Sequence, residues 1–91
     1  MPEPGRWRVT FHRQAKKDAQ LVERAGLRSR AEALIEVLRE DPFASQPPYE
    51  KLVGELAGAY SRRLTIQYRI VYTVSIVDRE VRVLRMWTHY E

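Results

Sequence analysis

The spacing of apolar residues changes near the middle of this chain, from a helical period of three to four residues to a period of two. In residues 60–76, aromatic and aliphatic side chains hold nearly all positions of one parity and polar side chains hold the other, with Val71 as an exception. A period of two is typical of antiparallel strands with one buried face. Because the segment is too long for one strand, we expect a turn near residues 65–67. The polar residues 78–80 then interrupt the pattern, and residues 81–87 form a predicted last strand.

The N-terminal half of the chain is predicted to hold one strand and two helices. Residues 7–11 alternate with aromatic and β-branched side chains and indicate a strand. Residues 13–25 contain neither glycine nor proline and repeat apolar side chains every three to four positions, so they predict a helix that Gly26 caps. Ser29 and Glu32 have the spacing of a capping box and predict the start of the second helix.

The order of these elements predicts an α+β domain, in which an N-terminal strand and two helices on one face accompany a mainly antiparallel sheet. A chain of 91 residues buries only about 60–65% of its unfolded surface, which supports one modest core. We therefore expect residues 1–91 to form a single domain, with residues 1–5 as a short frayed lead.

The charge of the chain favours a nucleic acid as a partner without deciding it. The net charge is +4, with thirteen arginines and three lysines. The planar guanidinium group of arginine matches the geometry of phosphate oxygens, so arginine-rich basic domains are candidates for nucleic-acid contact. A bias in genome composition together with a solvated basic face explains the same numbers about equally well.

Several classes of function find no support in the sequence. There is no cysteine and there are two histidines, so we expect neither a disulfide framework nor a metal site. Motifs for nucleotide cofactors are absent, and no cofactor is expected. The chain has no run of 18 apolar residues, and its first residues lack the apolar stretch of a signal peptide. We therefore expect no membrane segment and a cytoplasmic location.

A carboxylate, an arginine and a histidine are sufficient to cleave RNA without a metal. A base accepts the proton of the attacking 2′-hydroxyl, a cation neutralises the phosphoryl oxygens, and an acid protonates the leaving 5′-oxygen. The candidates are Glu50 after a proline-rich loop, Arg69 on the polar parity of a strand, and His89 near the chain end. If residues 78–80 form a three-residue hairpin loop, Arg69 faces His89, whereas a two-residue loop would spoil this match.

Five short motifs follow one another in the second half of the chain. They are Asp41-Pro42-Phe43, Glu50-Lys51-Leu52, Gly58-Ala59-Tyr60-Ser61-Arg62-Arg63-Leu64, Tyr68-Arg69-Ile70-Val71-Tyr72 and the terminal His89-Tyr90. In this combination they resemble the Txe/YoeB branch of the RelE-like toxins, closely over residues 41–91 and only in layout before them. The resemblance implies a RelE-like fold and the toxin of a type II toxin–antitoxin module. It also implies an endoribonuclease, or mRNA interferase, that enters the ribosomal A site and inhibits translation by cutting messenger RNA.

The resemblance assigns a role to each candidate catalytic residue. It implies that Glu50 is the general base and that Arg69 stabilises the transition state. It further implies that His89 is the general acid and that Tyr90 helps to hold the substrate. The reaction would then be the metal-independent attack of the 2′-hydroxyl on the adjacent phosphate.

This chain departs from the family's pattern at two places beside these residues. The family's Glu-Pro-Leu-Lys run reads Glu50-Lys51-Leu52-Val53 here, so the lysine precedes the leucine instead of following it. Whether Lys51 serves as the basic residue near the glutamate stays open. Glu91 follows the terminal tyrosine, where it either repels phosphate or points into solvent.

Five basic residues are the candidates for contact with RNA or the ribosome. Arg62 and Arg63 alternate across the sheet, so only one of them shares a face with Arg69, and parity assigns Arg63 to that face. The strand residues Arg82 and Arg85 either contact ribosomal RNA or form a solvated face, and the sequence does not choose between these interpretations. The full set of candidate contacts is Lys51, Arg62, Arg63, Arg82 and Arg85.

The same resemblance implies the partners of the chain. They are an antitoxin of the Phd/YefM type, messenger RNA in the ribosomal A site, ribosomal RNA, and promoter DNA only through the antitoxin. A homodimer through the aromatic-rich sheet region is a further option. An alternative function is a non-catalytic RNA-binding or antitoxin-binding module that acts mainly as a transcriptional co-repressor, which the displaced Lys51 and the added Glu91 motivate.

Overall fold

Residues 6–87 are described in the computed structural model of this chain, and they form two helices and a five-stranded sheet. The elements in chain order are β1 (Arg8–Phe11), α1 (Arg13–Arg24), α2 (Arg28–Glu40), β2 (Tyr49–Lys51), β3 (Tyr60–Arg63), β4 (Arg69–Ser75) and β5 (Glu80–Trp87), with a 3-10 turn at Gly54–Leu56. The strands lie in the order β1-β5-β4-β3-β2. Only the β1–β5 pair of this sheet is parallel.

The predicted α+β class, the mainly antiparallel sheet and the turn between β3 and β4 are confirmed. The expected frayed lead lies outside the described residues.

Local interactions set both ends of α1. At its start the ring nitrogen Nδ1 of His12 accepts a hydrogen bond from the backbone N–H of Gln14 at 3.1 Å, so the histidine caps the helix. At its end Gly26 has a φ of +78°, a conformation that favours glycine. The N–H of Leu27 donates to the carbonyl of Val22 at 3.1 Å, which is a bond of the Schellman motif. The predicted cap at Gly26 is confirmed.

The predicted capping box at the start of α2 is wrong. The helix begins at Arg28 with Leu27 as its N-cap, and no side chain caps it. The Schellman motif that closes α1 already holds Leu27, whose carbonyl then accepts the N–H of Ala31 at 2.9 Å. The second helix therefore starts one residue before Ser29, which lies inside the first turn. Arg28 and Glu32 instead form an ion pair at 3.0 Å on the outside of the helix.

Both helices bury an apolar stripe against one face of the sheet. A buried cluster joins α1, α2 and the strands, and its members are Ala15, Val22, Ala31, Leu34, Ile35, Leu38, Leu64, Ile70, Tyr72, Val81, Val83 and Met86. Successive residues of a strand point to opposite faces. The other face therefore carries the residues that alternate with this cluster, and Glu50, Ser61 and Arg69 are among them.

The predicted register of the last hairpin is wrong. The loop contains the four residues 76–79, so Ser75 pairs with Glu80 and Arg69 pairs with Trp87 rather than with His89. Glu80 is drawn into β5 because its carboxylate accepts a hydrogen bond from the hydroxyl of Thr10 in the neighbouring strand at 2.9 Å. The β4–β5 pair also contains a β-bulge between Val71 and the residue that follows it. This bulge shifts the pairing of the two strands by one more residue.

Candidate functional site

The sheet brings Glu50 and Arg69 together, although 18 residues separate them in the sequence. Glu50 is the middle residue of β2 and pairs with Ser61 of β3, whereas Arg69 is the first residue of β4 and pairs with Arg63 of β3. Nη1 of Arg69 donates to Oε1 of Glu50 at 2.7 Å and to Oγ of Ser61 at 3.2 Å. Strand β3 thus bridges the two residues that the sequence predicted as base and cation.

These three side chains differ in their contact with solvent. The Arg69 side chain keeps 16% of its surface exposed and the Glu50 side chain keeps 63%, while Ser61 is buried beneath them. The guanidinium group is therefore held from below by a buried hydroxyl and from the side by a carboxylate. Because Glu50 is open to solvent, its carboxylate can meet a substrate hydroxyl without displacing other parts of the chain.

A cleft of about 600 Å³ opens over this cluster. It runs past the turn between β3 and β4, and the proline-rich loop forms another of its walls. Its lining residues are Arg30, Pro47, Pro48, Glu50, Ser61, Arg63, Leu64, Thr65, Ile66 and Arg69. Arg63 lies on the same face as Arg69, as the parity of the strand residues predicted. Arg30 of α2 is a residue that the sequence reasoning missed, because nothing in the helix pattern distinguishes it from the other exposed arginines.

Arg62 is a structural residue, so its expected role in RNA contact is a mistaken prediction. Its side chain is fully buried, with Nε donating to the hydroxyl of Tyr72 at 3.0 Å. The two terminal nitrogens donate to the carbonyls of Pro42, Ala44 and Pro47, which all belong to the proline-rich loop. The signal that was available is parity, because Arg62 has the same parity as the apolar Leu64 just after β3 and therefore points into the protein.

Aromatic rings enclose this buried arginine. Tyr49 lies with its ring centroid 5.0 Å from the guanidinium carbon of Arg62, and Tyr60 stacks on Tyr72 at 5.7 Å. The hydroxyl of Tyr72 donates to the carbonyl of Pro42 at 3.0 Å. Burial raises the pKa of Tyr72 above its usual value, and the nearby positive charge of Arg62 offsets part of that rise. This network fixes the loop that leads into Glu50.

The remaining basic candidates occupy three different surroundings. Lys51 is exposed, pairs with Tyr60, and lies on the opposite face of β2 from Glu50, so it does not line the cleft. Arg82 is exposed on β5, away from the helices. Arg85 is engaged with Asp18 of α1, whose Oδ2 accepts from Nε at 2.8 Å.

The predicted residues at the chain end lie outside the described residues. They are His89, Tyr90 and the unusual Glu91, and their roles stay predictions. The last described residue is Trp87, whose backbone pairs with Arg69 at the end of β5.

The described residues contain no cluster of three or more His, Cys, Asp or Glu side chains that could hold a metal ion. A second cavity, of about 300 Å³, lies between the two helices. The charged residues in its lining are Glu23, Arg28 and Glu32, and the arginine is paired with both acids. The base and the cation that the sequence predicted therefore both line the cleft over Glu50 and not this groove.

Comparison with known proteins finds a family model over nearly the whole chain. The model describes the YoeB-like toxin of bacterial type II toxin–antitoxin systems and matches residues 9–90. Among curated proteins, the toxin YoeB of Synechocystis sp. is 34% identical over 76 residues, which cover 84% of this chain and 79% of the relative.

Solved structures agree with that match. The YoeB/ParE toxin from Agrobacterium tumefaciens superposes with a TM-score of 0.80 at 29% identity, covering 91% of this chain and 99% of that one. Staphylococcus aureus YoeB in its heterotetrameric complex with YefM gives a TM-score of 0.75 at 28% identity, and the coverage is 93% and 99%. The YoeB dimer of the same organism gives 0.76 at 27% identity with the same coverage.

Proposed function

This chain belongs to the YoeB-like toxins of bacterial type II toxin–antitoxin systems, and from that premise we propose that it is a ribosome-dependent endoribonuclease. Its proposed activity is to cut messenger RNA in the ribosomal A site and so to inhibit translation. The observation that carries the proposal is the Glu50–Arg69 pair, 2.7 Å apart in an open cleft. The predicted resemblance to this family, and the RelE-like fold that it implied, are confirmed.

The proposed reaction needs only the side chains that the sequence and the cleft supply. Glu50 takes the proton of the 2′-hydroxyl, and that oxygen attacks the adjacent phosphorus. The bond from phosphorus to the 5′-oxygen breaks, which leaves a 2′,3′-cyclic phosphate on one fragment. Arg69 neutralises the charge on the phosphoryl oxygens. His89 protonates the departing 5′-oxygen, and Tyr90 helps to hold the substrate.

The hydrogen bonds around Glu50 and Arg69 leave each side chain able to perform its proposed step. One carboxylate oxygen accepts the hydrogen bond of Arg69, and the second oxygen remains for the proton of the substrate. A phosphate that enters the cleft meets a guanidinium group already held by Ser61. Little reorganisation of Arg69 is then needed when negative charge develops in the transition state, which is the condition for strong electrostatic stabilisation.

The proposed partners follow from the family and from the solved complexes of its members. Staphylococcus aureus YoeB is solved with YefM, and we propose an antitoxin of the Phd/YefM type for this chain, with promoter DNA bound only through that antitoxin. Ribosomal RNA is the proposed partner of exposed arginines such as Arg82. A location in the cytoplasm follows because translating ribosomes are the proposed target. A homodimer is proposed by analogy with the Staphylococcus aureus dimer.

The decisive experiment is a translation reaction in vitro, with primer extension to locate new 5′ ends in the message. Glu50→Gln keeps the shape of the side chain but removes the base, and we expect a loss of cleavage rate of about 10²–10⁴-fold. Arg69→Ala and His89→Gln should each lose about 10²-fold or more. Glu55→Gln is the matched control, since Glu55 is exposed and does not line the cleft. Equal cleavage by all five proteins, including the wild type, would show that the assigned residues do not carry the reaction.

A second candidate function is a non-catalytic module that binds RNA or the antitoxin and acts as a transcriptional co-repressor. The position of Lys51 favours it, because this lysine lies on the opposite face of β2 from Glu50 and leaves the base without the neighbouring cation of the family's pattern. Mapping the 5′ ends of translated messages after induction in a bacterial host separates the two functions. The absence of new cuts would favour the co-repressor.

A further inference from the structure

The cleft over Glu50 continues as a groove along one face of α2. Two further cavities, of about 520 and 290 Å³, adjoin it and share its residues at the β3–β4 turn. The α2 residues that line the smaller cavity follow a spacing of three and four positions, which places them on one stripe of the helix; they are Arg30, Ala33, Leu34 and Val37. Arg30 lines all three cavities. This arginine therefore stands where the catalytic cleft passes into the groove.

Arg30 differs from the other arginines of its helix in its electrostatic surroundings. Arg28 is paired with Glu23 and Glu32, and Arg39 is paired with Glu36. Within residues 6–87, the side chains of Arg30 and of the cleft arginine Arg63 form no ion pair or hydrogen bond with another residue. The groove thus contains two guanidinium groups whose charge no described acid neutralises.

The positive charge of Arg30 does not stabilise the helix that carries it. It is the third residue of α2, where the positive end of the helix dipole repels a cation. Its side chain is exposed, so burial in the core does not explain it either. Its charge is therefore available to an anion that enters the groove from outside.

We propose that Arg30 binds a backbone phosphate of the RNA strand, next to the phosphate that Arg69 holds. This inference rests on the proposed function and adds a second phosphate subsite to it, with Arg63 between the two. Arginine suits the task because its planar donors can bind two phosphate oxygens at once. Ile66 lies on the rim with 88% of its surface exposed, and it offers an apolar contact to a base that leaves the strand. An acidic peptide would satisfy the charges, but it would make no use of the catalytic pair at the other end of the cleft.

Binding of a single-stranded RNA that cannot be cut tests the subsite directly. The probe is a fluorescent 2′-O-methyl oligoribonucleotide, in which the attacking hydroxyl is blocked, measured by anisotropy at several KCl concentrations. For Arg30→Gln we expect affinity to fall about three- to tenfold, and the slope of log K against log salt to become shallower by about 0.7, the value for one lost phosphate contact on a single strand. The melting temperature should not fall, because the substitution removes a cation from the first turn of a helix.

The matched control is Arg24→Gln, which removes the same charge from an exposed position in the last turn of α1. Arg24 lines none of the three cavities, so its loss should change the salt slope little. Equal effects of the two substitutions would overturn the subsite, and so would failure of the wild type to bind the probe. Poly-glutamate that binds as tightly as the RNA, with the same dependence on Arg30, would overturn it in favour of an acidic protein partner.

Cleavage in the translation reaction distinguishes failure of the subsite from failure of the proposed function. Arg30→Gln should raise the toxin concentration needed for half-maximal cleavage and leave the rate at saturation unchanged. If the wild type binds the probe through Arg30 but cuts no message, the nuclease proposal fails and the subsite stands. If the wild type cuts and Arg30→Gln matches it in both assays, only the subsite fails.

Discussion

At the scale of single residues, the site depends on a hydroxyl that performs no chemistry. Ser61 is buried and its Oγ accepts a hydrogen bond from Arg69 at 3.2 Å. The flexible arginine is thereby held at one end of the cleft, close to the carboxylate of Glu50. A cation that is already in place when charge develops stabilises a transition state better than one that must be ordered first.

Ser61→Ala is predicted to lower the rate of message cleavage by about tenfold, which corresponds to about 1.4 kcal/mol, the size of one hydrogen bond to a charged group. The melting temperature should change by only a few degrees, because the substitution removes a single oxygen. In an Arg69→Ala background the same substitution should have no further effect, since its target is gone. Ser75→Ala, at the far end of β4, is the control. An additive effect in the double variant would contradict a positioning role.

At the scale of elements, the proline-rich loop is held by a side chain rather than by backbone pairing. The buried guanidinium group of Arg62 donates to three of its carbonyls, and Tyr72 donates to one of them. Pro47 and Pro48 of this loop line the cleft immediately before β2. The position of Glu50 is therefore linked to a residue on the other face of the sheet.

Arg62→Met is predicted to cost about 3–5 kcal/mol of unfolding free energy, because it removes the charged donor to two partly buried carbonyls of the loop and to the buried hydroxyl of Tyr72. Urea denaturation measures this loss, and limited proteolysis should show cleavage within residues 41–48. Arg63→Met is the neighbouring control and should cost less than about 0.5 kcal/mol, because its side chain is exposed. If Arg62→Met does not fold, Tyr72→Phe serves as the milder test and should cost about 1–2 kcal/mol. Equal stability of the Arg62 and Arg63 variants would refute the clamp.

At the scale of the whole molecule, one carboxylate ties α1 to the last strand. Asp18 is buried, and its Oδ2 accepts hydrogen bonds from Nε of Arg85 at 2.8 Å and from the backbone N–H of Met86 at 3.0 Å. Strand β1 pairs with β5 only as far as Val83, so the edge of β5 beyond that point is open. The side chain of Asp18 satisfies a backbone donor on this edge.

Asp18→Ala is predicted to lower the unfolding free energy by about 3 kcal/mol, because it removes the acceptor of a buried N–H and one charged partner of a partly buried guanidinium group. Chemical denaturation of the full chain measures the change. Glu23→Ala is the control on the same helix, since its exposed pair with Arg28 should contribute less than about 1 kcal/mol. Similar losses in the two variants would mean that Asp18 does not join helix and strand.

Prediction from the sequence succeeded where a single local signal acts, and it failed where two local signals compete or where the controlling interaction crosses the chain. The capping box at Ser29 failed because the end of the preceding helix already held Leu27. The pairing of Arg69 with His89 failed because it required the exact loop length, and the neighbouring strand drew Glu80 into β5. The order of the motifs along the chain predicted Glu50 and Arg69 as site residues, but it did not predict the distance between their side chains.

The sequence by itself determined the cap at Gly26 and the order of strands and helices apart from the short β2, which its pattern did not predict, and it supplied the proposed acid, base and cation. These follow from the spacing of apolar residues, from backbone conformations that few residues adopt, and from side-chain chemistry, all of which act over a few neighbouring positions. Only the tertiary structure decided that Arg62 donates to the carbonyls of the proline-rich loop, that Ser61 supports Arg69, and that Arg30 reaches the cleft from α2. Those outcomes depend on the register of the strands and on the packing of α2 beside the β3–β4 turn. The spacing of apolar residues within one segment determines neither of them.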